Sequence, residues 1–161
     1  MPDNTVVTTV DELRKWVGKE TGVSDWLLIT QDRVNAFADA TDDHQFIHVD
    51  PAAAALTPFG GTIAHGFLTL ALIVPLRQRQ TGLRLGLPLQ FAVNYGVNRV
   101  RFPAPIHVGA RIRLRSTLLA LDDIAPSTVQ LTFADTVEIE GEAKPGCYAE
   151  SILRLYVRDN Q

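Results

Sequence analysis

The sequence holds one cysteine, Cys147, so no intramolecular disulfide can staple the chain and no zinc-binding cysteine pattern exists. Cys147 lies in a strand-like segment, where a lone thiol is expected to be buried and inert, and a reducing compartment fits. Neither sign of charge dominates. The 15 Lys and Arg against 18 Asp and Glu leave a formal net charge of -3, which gives no basic footprint for nucleic acid or an anionic membrane surface. Small molecules are the expected partners. Long apolar runs are also missing: the longest, Ala64 to Leu76, is interrupted by His65 and Thr69 and falls short of the roughly 20 apolar residues a spanning helix needs. The opening MPDNTVVTTVDELRK lacks the charged-then-apolar order of a secretion signal, and its acidic residues argue against a transit peptide. A cytoplasmic protein is expected. Repeats, low-complexity tracts and interdomain linkers are absent, so residues 1–161 are expected to form one domain, with residues 1–20 as a helical leader.

What is present is ordinary globular composition, 46% hydrophobic and 20% charged. TTVDELRKWVGKE predicts a helix capped by Thr8 or Thr9, with Leu13, Trp16 and Val17 at helical spacing, ended by Gly22. A strand over Trp26 to Ile29 leads to Thr30, which suits the cap of a second helix ending near Thr41. Asp50-Pro51 starts a short alanine-rich helix. Beyond Gly60-Gly61, IAHGFLTLALIV is apolar on nearly every face and predicts a helix buried on all sides. After Gly82 the pattern alternates as strands do: Phe91, Val93, Tyr95; Ile112, Leu114, Leu118; Val129 to Ile139; Leu153, Leu155, Val157. Turns are expected at Pro103 to Gly109, Asp122 to Pro126 and Gly141 to Gly146. Helices first and connected strands after argue an α+β domain with an antiparallel sheet.

Asp42-Asp43-His44-Gln45-Phe46-Ile47-His48-Val49-Asp50 packs three acids and two histidines into nine residues. One reading is a solvated loop in which Asp50 only caps a helix. A metal site is a second, though the spacing matches no zinc signature, and no metal is expected. The third is catalytic: a carboxylate and an imidazole together can hold and activate a water near neutral pH. Free backbone N–H groups where the Gly60–Gly66 loop enters the buried helix can then stabilise a developing oxyanion, and Gly66 lets a ligand come close.

DDHQFIHVDPAAA followed by PFGGTIAHGFLTLALI resembles the hydratase-2 motif and adjacent helix of the MaoC-like (R)-specific enoyl-CoA hydratases, especially their nodulation-protein-N-like branch. The likeness is strongest over residues 38 to 76 and extends to GVNRVRFPAPIHVGARIR and VGKETGVSDWLLITQDRVNAFADAT. It implies a hot-dog fold, an antiparallel β-sheet wrapped around a central buried helix, pairing as a homodimer. It also implies (R)-specific hydration of trans-2-enoyl-CoA, with acyl-CoA as substrate and no cofactor. Catalysis would fall to Asp43 and His48, thioester binding to the Gly66 N–H and Gln45. His65 is grouped with these binding residues, in a structural role, on one helix face with Thr69.

Two departures from the motif stand out. Asp42 replaces a glycine, and Gln45-Phe46 replaces Asn-Pro; Gln45 keeps an amide, whereas Asp42 either perturbs Asp43 or faces solvent. Arg111, Arg113 and Arg115 read as a solvated sheet face, with Arg99 and Arg101 as possible contacts to coenzyme A phosphates. A hot-dog thioesterase and a non-catalytic acyl-CoA-binding module are the alternatives, since fold alone does not fix chemistry.

Overall fold

The computed structural model describes residues 4–158. Eight strands form one sheet: β1 Thr5–Val7, β2 Glu20–Ser24, β3 Leu27–Leu28, β4 Gln80–Leu85, β5 Leu89–Arg101, β6 Arg111–Ala125, β7 Thr128–Ile139 and β8 Cys147–Val157. Their order is β1-β4-β2-β6-β7-β8-β5, with β3 also paired to β6. All pairings are antiparallel except β1 with β4. Six short helices complete it: α1 Val10–Arg14, α2 Gln31–Thr41, α3 Phe46–Val49, α4 Pro51–Ala54, α5 Gly66–Ala71 and α6 Ile73–Gln78. The expected α+β class holds, with the long strands where alternation placed them.

Along β7 every second residue is buried: Val137 and Ile139 share one core cluster with Ile112 and Leu114 of β6, Cys147 and Ala149 of β8, and Leu68, Leu72, Ile73 and Leu76 of the helices, whereas Val129, Leu131 and Phe133 share a second with Leu13, Leu118, Leu121 and Leu155. Burial also pushes the Cys147 thiol up to about 11, with the Asp135 charge adding to the effect, so it stays a protonated, inert side chain. Asp135 is the one carboxylate in that buried row of β7. Arg77 Nη2 donates to it at 2.6 Å, and the hydroxyls of Ser116 and Ser151 donate at 2.6 and 2.5 Å. The buried charge is thereby paired and bonded, which pins α6 to the sheet.

Several expectations change. The leader is not helical over residues 1–20: it holds β1 and only five helical residues, capped by Thr9, and β2 begins at Glu20. Residues 1–3 lie outside the described residues. Gly22 does not end a helix but sits inside β2, opposite Gly82; a Cβ on Gly22 would meet the Thr81 carbonyl at 2.4 Å, so close strand approach requires glycine there. The central helix is two pieces. Pro75 has no N–H to donate to the Ala71 carbonyl, and the helix breaks at Leu72. Nor is it buried on all sides, because Phe67 is 72% exposed and Val74 is also open. The turn expected at Asp122 to Pro126 is tighter, since β6 runs on to Ala125. Arg111, Arg113 and Arg115 do share one sheet face, but they pair there with Glu140, Glu138 and Glu20, and Arg111 and Arg113 lie over Trp26.

Candidate active site

Thr30 caps α2 by accepting the Arg33 N–H, and α2 ends at Asp42, whose φ of 58° and ψ of 20° are left-handed. That conformation favours glycine, and aspartate is among the few other residues that tolerate it. Asp42 therefore stands where glycine would as a backbone element, ending the helix so that Asp43 leaves it toward α3. His44 turns away and pairs with Asp39 at 2.9 Å, a contact that raises its proton affinity. Asp50 accepts the N–H groups of Ala52 and Ala53, each at 3.0 Å, and so holds α4 against the end of α3.

The short α3 carries His48 inward, where the residue is only 7% exposed. Its Nδ1 lies 2.7 Å from the Ile63 carbonyl. A carbonyl only accepts, so Nδ1 carries the proton and donates, and Nε2 is left with a free lone pair. No protein group among the described residues bonds that lone pair. Burial pulls the His48 proton affinity down; the Ile63 bond works against this, a nearby His65 charge adds to it, and Asp43 opposes it more weakly. Near neutral pH the ring is an uncharged base.

His65, 2% exposed, stacks on His48 with ring centroids 3.8 Å apart and planes 26° from parallel. Its Nε2 donates to the Asp43 carbonyl at 2.9 Å and lies 4.0 Å from the Asp43 carboxylate, while Phe37 covers its ring. One ligand atom each of Asp43, His48 and His65 fall within 4.8 Å of one another. Each of the three could offer one ligand atom to an ion, and His65 Nε2 is already committed to the Asp43 carbonyl. A carboxylate and an imidazole nitrogen at that separation do suit a bridging water, about 2.8 Å from each. Asp43, half exposed, opens that water's place to solvent and ligand.

Gly66 opens α5, and its N–H has no acceptor among the described residues. A Cβ here would stand 2.8 to 3.0 Å from the Phe102 ring, so the need for glycine comes first from Phe102. Gln45 accepts the His48 N–H through its carbonyl at 2.9 Å, but its exposed side chain bonds neither Asp43 nor His48. Arg99 pairs with Glu150 at 3.1 Å and Arg101 with the Val100 carbonyl at 2.7 Å, both on the exposed end of β5. Ile63 and Phe102 went unnoticed in the sequence: one acts through its backbone, the other through a ring far along the chain.

Residues 12–139 match the family described as MaoC like domain. The chain belongs to the MaoC-like dehydratase family. It is 56% identical over 146 residues to 3-hydroxyacyl-thioester dehydratase Z of Mycobacterium tuberculosis, covering 91% of this chain and 95% of that one. It is 44% identical over 145 residues to nodulation protein N of Rhizobium meliloti, covering 89% of each, and 31% identical over 114 residues to the (R)-specific enoyl-CoA hydratase of Aeromonas caviae, covering 68% of this chain and 80% of that one. The crystal structure of a MaoC-like dehydratase from Rhodospirillum rubrum superposes with a TM-score of 0.75 at 24% identity, covering 94% of this chain and 99% of that one. Dehydratases and hydratases are hydro-lyases, and this MaoC-like chain is an enzyme of that class with the hot-dog fold. Among the described residues no helix is long and apolar enough to cross a membrane.

Proposed function

We propose that this MaoC-like enzyme adds water reversibly to trans-2-enoyl-CoA to give (R)-3-hydroxyacyl-CoA, with Asp43 and His48 as its catalytic pair. The observation that carries the reading is the His48 ring, fixed with Nδ1 donating to Ile63, its Nε2 unpartnered among the described residues, and a ring nitrogen within 4.8 Å of an Asp43 carboxylate oxygen. Water held between the two gives a proton to His48 Nε2 as its oxygen bonds to C3 of the enoyl group. The C2–C3 π electrons move toward the thioester oxygen, where the Gly66 N–H meets the growing charge. The proton then returns from the same side to C2 as the enolate collapses. Dehydration of a 3-hydroxyacyl thioester is the same path reversed, which agrees with the names of the dehydratase relatives.

The substrate is the coenzyme A thioester, and the route needs no cofactor or metal. Arg99 and Arg101 lie on an exposed strand end where coenzyme A phosphates can reach them, though Arg99 must first leave Glu150. A homodimer is part of the reading. It is supported by β5, an edge strand with Phe91, Val93, Tyr95 and Val97 all exposed, and by Phe67 and Val74 on the open helix face. Incubation with crotonyl-CoA tests the reaction: loss of enoyl absorbance without free thiol is expected, whereas thiol release would mean a thioesterase and no change a binding module.

A further inference from the structure

We infer that Gln31 is a positioning residue for the His48 base, one amide that locks the two chain segments on which the His48 tautomer depends. The inference rests on the reading of His48 as the base. His48 lies in the four-residue α3, whereas the carbonyl that orders its ring belongs to Ile63, on an irregular segment after Gly60-Gly61. Backbone bonds hold the two pieces in part: the Ile63 N–H donates to the Ile47 carbonyl at 3.0 Å, and Thr62 and Ala64 are bonded to Val108 and Ile106 at 3.0 and 2.8 Å.

Gln31 joins them. Its Nε2 donates to the His48 carbonyl at 2.7 Å and to Asn35 Oδ1 at 2.9 Å, and its Oε1 accepts the hydroxyl of buried Thr62 at 2.6 Å. Thr62 precedes Ile63, so the bonds close a ring: His48 carbonyl, Gln31 amide, Thr62 hydroxyl, Ile63 carbonyl, His48 Nδ1. The amide supplies both the donor and the acceptor whatever the pH. Gln31 is itself held still. It is the first residue of α2, behind the Thr30 cap, and Ile29 before it exchanges backbone bonds with Ala110 and Gly109 at 2.9 and 2.7 Å.

Removing the amide should let the Ile63 carbonyl drift from Nδ1 and free the ring to exchange its proton between the two nitrogens. The fraction of His48 with an available Nε2 lone pair then falls, which lowers turnover more than substrate binding.

The test is 15N NMR of the histidine side chains, of which the chain has four, in wild type, Gln31→Met and Thr62→Val. It is run without substrate, alongside steady-state hydration of crotonyl-CoA. Wild type is expected to show His48 wholly protonated at Nδ1. Gln31→Met should show a mixture with Nε2–H, with kcat down roughly tenfold and KM within about twofold. Thr62→Val, which opens the ring at its other side, should move both readouts the same way by less, and it decides the matter if Gln31→Met does not fold. A His48 ring that stays wholly Nδ1–H in the folded variants overturns the inference. Tautomer mixing with an unchanged rate would uphold the clamp and overturn the reading of His48 as the base.

Discussion

The imidazole of His48 lies face to face with that of His65, 3.8 Å between centroids, and each ring gives its one N–H to a backbone carbonyl, Ile63 and Asp43 respectively. The stack keeps His48 from turning and sets a second imidazole against it, where a His65 charge would work against charging His48. The His48 Nε2 lone pair has no partner among the described residues, and a ring nitrogen lies within 4.8 Å of the Asp43 carboxylate.

Asp43→Asn should fold normally and lose turnover by at least about a hundredfold, the low end for general acid–base catalysis. His48→Ala should lose a similar amount. The double variant should fall little further, because both residues act on one water. Steady-state kinetics of the three variants check this, and additive losses would mean separate roles.

The pH dependence follows from the burial of His48. Its proton affinity in the folded enzyme lies below the ordinary value of about 6.5, and the working form is the neutral ring. The acid limb of kcat/KM should therefore have its midpoint below about 6.5, with activity intact above it. A profile for crotonyl-CoA hydration with its acid midpoint above that value would contradict this.

Gly66→Ala should reduce activity by displacing the Phe102 ring or the start of α5, since the new methyl would sit 2.8 to 3.0 Å from that ring. Adding Phe102→Ala should restore much of the loss by opening the space. Kinetics of the single and double variants separate this steric role from a need for glycine toward the ligand, which the second substitution would not relieve.

Asp42→Gly should leave kcat unchanged and stabilise the fold by up to about 1 kcal/mol, the order of the penalty a side chain meets in the left-handed region. Asp42→Val should destabilise it. Urea denaturation reads both, and a fall in kcat on Asp42→Gly would show that the carboxylate tunes Asp43 after all.

These cases show what the sequence made legible. Local rules worked wherever one side chain and its neighbours decide the outcome: the Thr30 and Asp50 caps, and the alternation of β7. Asp42 could be noted as a departure but not explained, because a positive φ is invisible until the helix end is placed. The Gly22 and Gly82 pairing needed two strands far apart in the chain. The open face of α5 and α6 was hidden because an apolar run cannot say which side meets the protein's own core. In the site, Asp43 and His48 stood out by residue type. The Ile63 carbonyl that fixes the imidazole did not, because any residue supplies a carbonyl.

The hand of the product reports which face of the enoyl group meets the Asp43–His48 pair. A thioester oxygen held by the Gly66 N–H leaves one face of the enoyl group turned toward Asp43 and His48, so water should add to that face alone. Wild-type enzyme should be incubated with crotonyl-CoA and the hydrolysed product resolved by chiral chromatography. (R)-3-Hydroxybutyrate is expected almost exclusively; a predominantly (S) product, or a racemate formed at the enzymatic rate, would contradict catalysis by Asp43 and His48 on one face.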